Sequence, residues 1–153
     1  MKLDIAPEYG YVLGGAVSMY LTQQLVLLAV GKGVLPMRKA TGIKAPTLYP
    51  RDSEIKKLKL TDEQVNEYYC SQRAHQNSME FNSVFMGLYL VTGLFEPRNT
   101  AIAGAVVVVF RLLGGLAYNK TLPLSRHVGG FFHFGELAVL YFAVRSAYRL
   151  VNM

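Results

Sequence analysis

A chain of 153 residues with 52% hydrophobic side chains, mean hydropathy +0.23 and one cysteine, Cys70, fits one domain and excludes an intrachain disulfide. Its 16 Lys/Arg and 10 Asp/Glu give a net charge of +6, but these charges avoid long apolar runs and crowd residues 31–67. That placement argues for membrane spans with basic loops near anionic lipid, and against a nucleic-acid binder.

Residues 1–8 make a short polar start carrying Lys2, Asp4 and Glu8. Tyr9 to Val30 is a charge-free run of 22 residues, enough to cross a hydrocarbon core of ~30 Å at about 1.5 Å per residue. Residues 31–68 read as a long loop with Pro36, Pro46 and Pro50. Eight Lys/Arg stand against four acids between 31 and 66. Asp52 to Asn66 can hold a short surface helix, and Thr61-Asp62-Glu63-Gln64 has the form of a helix N-cap followed by an acidic first turn. Span two is expected over about 69–95, a tight turn at Glu96-Pro97-Arg98-Asn99, span three over 100–118, and span four over about 128–148. The expected fold is an all-α membrane protein, a single domain of four transmembrane helices over residues 1–153. The first and third loops hold ten Lys/Arg and the opposite turn one, Arg98, so the positive-inside rule places those loops on the cytosolic side. Arg145 and Arg149, at the far end of span four, run mildly against that assignment.

The second run opens on polar residues, Gln72-Arg73-Ala74-His75-Gln76-Asn77-Ser78-Met79-Glu80. On a helix Arg73, Asn77 and Glu80 share one stripe, at i, i+4 and i+7. A charge at bilayer mid-depth costs roughly 2.5–3.5 kcal/mol, so this stripe should lie near an interface, pair internally or line a polar cavity. His75 falls off the stripe and reads as structural. Arg111 reads as a structural partner within the bundle, sharing a face with Tyr118 at i, i+7. Glu136 is expected to pair with a buried arginine. His133 and Glu136 at i, i+3 reverse the order found in di-iron bundles, and no metal is expected.

The 72–80 segment closely resembles the second-helix motif of the MAPEG family (membrane-associated proteins in eicosanoid and glutathione metabolism), nearest to its microsomal glutathione S-transferase 3 branch. Glu8-Tyr9-Gly10-Tyr11-Val12-Leu13 resembles that branch's entry to span one. Arg38-Lys39 with Pro46 and Tyr49, and Phe110-Arg111 with Tyr118, Pro123 and Arg126, extend the likeness along the chain. The resemblance implies a bundle of four membrane helices assembled as a homotrimer, with glutathione held between subunits near the cytosolic face. It makes glutathione a co-substrate, assigns Arg38, Lys39, Arg73, Asn77, Glu80 and Tyr118 to binding it, and assigns Arg126 to the thiolate. A lipophilic second substrate would arrive from membrane lipid. The membrane would be endoplasmic reticulum or mitochondrial.

The chemistry is consistent with those residue types. Arg and Lys clamp carboxylates, and an acid such as Glu80 can hold the γ-glutamyl amine. Lowering a thiol from pKa ~8.5 by about two units takes ~2.7 kcal/mol of preferential stabilisation, which a nearby cation supplies. The chain departs from the family in three places. Gly114 stands where a tyrosine is common, Ser125 occupies the register expected for Arg126, and the first loop is longer. These departures raise a second expectation, a catalytically silent subunit of a larger membrane complex. A third is a scaffold that presents a fatty substrate.

Overall fold

The computed structural model describes residues 5–152, which leaves Lys2 and Asp4 outside the described residues. Six α-helices and no strand form within them. The helices are α1 (Tyr9–Leu21), α2 (Val34–Thr41), α3 (Asp52–Leu58), α4 (Asp62–Phe95), α5 (Pro97–Tyr118) and α6 (Phe132–Val151). A π-helical turn, Thr22–Leu27, prolongs α1, and a 3₁₀ turn, Arg126–Phe131, leads into α6. Two helices are long and apolar enough to cross a membrane, Pro97–Tyr118 and the continuous Arg126–Val151. The two other expected spans are helical too, but the first is broken by the π turn and the second is polar along its first half.

Helix α4 starts earlier than its apolar run. Thr61 accepts from the Gln64 backbone N–H at 3.2 Å, and Gln64 accepts from the Thr61 N–H at 2.9 Å, closing a reciprocal capping box. Asp62 and Glu63 then sit in the first turn, where the helix dipole favours acids. The expected surface helix over 52–66 is therefore two pieces. Helix α3 stops at Lys59, in a left-handed conformation with φ +52°, and α4 begins three residues later. At 34 residues α4 is about 50 Å long, well beyond a hydrocarbon core of ~30 Å.

The expected turn at 96–99 contracts to Glu96. Pro97 opens α5 at its first position, where a missing N–H costs no helical bond. Glu96 accepts from Arg149 Nη1 at 3.0 Å and from Asn99 Nδ2 at 3.0 Å, and Arg145 Nε lies 3.5 Å away. One nearly buried carboxylate thus ties the end of α6 to the α4–α5 hairpin, and it offsets one of the two positive charges that ran against the charge rule.

Helices α1, α4, α5 and α6 pack around Val12, Met19, Phe85, Tyr89, Ala103, Val107 and Val139. Phe81, Phe85 and Tyr89 stack at i, i+4 along α4, with ring centroids 4.8 and 5.6 Å apart. The Tyr89 ring ends in a notch between Gly15 and Gly104, and a Cβ on Gly104 would meet it at 2.4 Å. Small residues allow this close approach of helices.

A second, smaller core holds the lobe built from α2, α3 and the start of α4. Met37, Ile43 and Tyr68 are buried there, with Leu58, Leu60 and Tyr69 packed on them. The Tyr68 hydroxyl accepts from Gln72 Nε2 at 3.0 Å and donates to the Thr47 carbonyl at 2.9 Å. Burial pushes its pKa up, so the hydroxyl keeps its proton and its role as donor. Lys32 pairs with Glu67, and its backbone N–H donates to Thr121 Oγ1 at 2.8 Å. The first and third loops are thereby joined at one end of the molecule.

Candidate functional site

At that same end a cavity of about 260 Å³ opens between α4, α5 and the 3₁₀ turn. Asn77, Tyr118 and Arg126 all line it. The continuous helix α4 presents Asn77, the last turn of α5 presents Tyr118, and Ser125 sets Arg126 at the head of the 3₁₀ turn by accepting from the His127 N–H at 3.3 Å. Leu27, Phe110 and Phe132 give the cavity apolar walls.

The remaining expected ligands lie elsewhere. Arg73 and Glu80 share the exposed stripe of α4, with Nη1 and Oε1 3.7 Å apart. Arg38 and Lys39 sit in the last turn of α2. Arg38 reaches the Ile43 carbonyl at 3.5 Å and lies over the Tyr68 ring at 5.7 Å. The stripe expected from spacing is therefore real, but it divides: Asn77 turns to the cavity while Arg73 and Glu80 meet each other outside it.

Arg111, read as a structural partner in the bundle, makes its interhelical contacts without an acid. No carboxylate pairs with it among the described residues, and Glu136 instead takes His133, at 2.6 Å between Oε2 and Nδ1. The Arg111 side chain crosses to α4, donating from Nη2 to the Asn77 carbonyl at 2.7 Å and from Nη1 to Asn77 Oδ1 at 3.3 Å. Its guanidinium carbon sits 4.5 Å from the Phe81 ring centroid and 4.7 Å from that of Phe132, a double cation–π arrangement. The signal available in the sequence was its shared face with Tyr118. His127 and Ser78 also line the cavity and were not singled out. His75 is half-buried on α4, in line with a structural role.

Gly114 is explained by packing. A Cβ at this position would lie 2.4 Å from the Cα of Gly129, so the two backbones touch and the 3₁₀ turn closes the cavity floor. Gly115 is filled by Leu27 in the same way. The two glycines serve close packing, and a tyrosine at 114 has no room.

Features of this kind define an all-helical, membrane-type chain with a basic cavity at one end of its helices. Residues 16–148 match the model of the MAPEG family, and the chain belongs to that family, which is membrane-associated and includes glutathione transferases and related proteins. No solved structure matches the chain.

Proposed function

We propose that this protein is an integral membrane glutathione transferase or peroxidase of the microsomal glutathione S-transferase 3 type. The observation that carries the reading is the cavity where Asn77, Tyr118 and Arg126 converge with Arg111, in a chain of the MAPEG family. Glutathione is an anionic tripeptide, and the cavity offers cations without paired acids beside an apolar wall. Asn77 would meet the peptide amides, Tyr118 the region of the thiol, and Arg126 at the mouth would favour the thiolate. The thiolate would then attack an electrophilic carbon, forming a thioether as the leaving group departs. With a lipid hydroperoxide, two glutathione molecules would become the disulfide as the peroxide is reduced to alcohol and water.

The division of the expected ligands supports a composite site. Arg73, Glu80, Arg38 and Lys39 lie outside the cavity of their own subunit, as suits residues that meet a neighbour's ligand. In this reading four helices span the membrane, three copies assemble, and the lipophilic substrate enters sideways from lipid, in the endoplasmic reticulum or the mitochondrion. One observation favours a second reading, a silent accessory subunit of a larger membrane complex: the Gly114–Gly129 contact excludes the tyrosine that many relatives place beside the thiol.

Glutathione titration of the detergent-purified protein, with thiolate absorbance recorded, separates the two. The transferase reading expects saturable binding with a thiolate signal, weakened about tenfold or more by Arg73→Ala, the loss of a charge-assisted carboxylate clamp. No binding at millimolar glutathione, together with co-purification in a large assembly, would establish the second reading instead.

A further inference from the structure

We propose that Arg111 is a second, fixed cation of the cavity, placed to face the sulfur of glutathione; this rests on the glutathione reading above. The argument begins with what the side chain can still do. A guanidinium has five N–H donors and no acceptor. Arg111 gives Nη1 and Nη2 to Asn77, so the parallel fork that grips a carboxylate is already in use. What remains is positive charge and a spare donor edge at the cavity wall. A thiolate, whose charge sits on one large, weakly hydrated sulfur, can use that charge and edge without a second fork.

The surroundings strengthen the assignment. Phe81 and Phe132, themselves edge to face with centroids 4.9 Å apart, form a two-ring corner against which the guanidinium rests, and this fixes its position. The charged and titratable groups around the cavity are Arg111 and Tyr118 of α5, Arg126 and His127 of the 3₁₀ turn, and Glu136 of α6. Glu136 contacts His133, and its field reaches Arg111 from beyond ion-pair distance, while α4 contributes the uncharged Asn77. Arg126 is exposed, whereas Arg111 is half-buried against two rings, where its field is less screened. Arg111 also orients Asn77. Because the guanidinium only donates, Asn77 must turn Oδ1 towards it, and Nδ2 is left to donate to a carbonyl of the bound peptide. The thiol proton would leave through the open, loop-side mouth to solvent.

The test titrates thiolate absorbance against pH for wild type, Arg111→Gln and Arg111→Lys with bound glutathione, and measures the affinity of S-methylglutathione, which has no ionisable thiol. Arg111→Gln should raise the thiolate midpoint by about one unit, tenfold less thiolate at a given pH. It should weaken S-methylglutathione by no more than about threefold. Arg111→Lys, which keeps the charge without the fork, should recover most of the midpoint, and it carries the test if the glutamine variant does not fold. An unchanged midpoint in both variants overturns the proposal and leaves the glutathione site standing. Equal loss of both ligands in both folded variants makes Arg111 a structural clamp and overturns it too. Failure of the wild type to bind either ligand removes the site reading itself.

Discussion

The two ends of the helices treat their arginines in opposite ways. At the Glu96 end, Arg145 and Arg149 converge on one carboxylate, and Asn99 takes its second oxygen. At the cavity end, Arg111 leans on an amide and two aromatic rings with Glu136 acting only from beyond ion-pair distance, and Arg126 stands in no ion pair among the described residues. Charge that is paired with an acid of the chain holds helices together. Charge held in place without a counterion leaves attraction available for an anion from outside. The contrast separates a structural end from a binding end by electrostatics alone.

Substitutions at each end sharpen this contrast. Glu96→Ala should have the largest effect on stability, about 2–3 kcal/mol, because charge-assisted hydrogen bonds are lost and two arginines are left without their acid. Thermal unfolding in detergent would show the loss, while glutathione affinity at the other end should hold. Gly114→Ala should cost about 1–2 kcal/mol by overpacking against Gly129. Unlike the first change, it should also weaken glutathione binding, since the 3₁₀ turn that carries Arg126 must shift. If Gly114→Ala instead left both stability and binding intact, the tight floor of the cavity would be disproved. Thr61→Ala should have the smallest effect, about 1 kcal/mol from the lost cap. Faster amide exchange confined to the first turns of α4 and the adjoining lobe would report it.

Much of the architecture was legible because apolar length and charge placement are local properties. Tyr9 to Val30 carries no charge over a span's length, and Thr61 to Gln64 spells out its own cap. What escaped the sequence was set by partners far along the chain. The polar start of α4 looks like loop, yet it stays helical because the capping box nucleates it and the lobe packs on Tyr68. The π turn is not visible in Thr22–Leu27, where Gln23 accepts from Asn82 Nδ2 at 2.8 Å, a contact 59 residues away. In the site, the stripe of Arg73, Asn77 and Glu80 was legible as periodicity, but which member turned inward depended on Arg111 arriving from α5. Gly114 allows either an opened site or close packing on sequence grounds, and only the approach of Gly129, 15 residues on, decides for packing.

The length of α4 has a mechanical consequence. Its first turns carry the lobe, and its later turns hold Asn77 and then the Phe85 and Tyr89 core, with no break between them. An unbroken helix of about 50 Å is a stiff rod that shifts as one piece. The lobe, the cavity wall and the buried core therefore move in register.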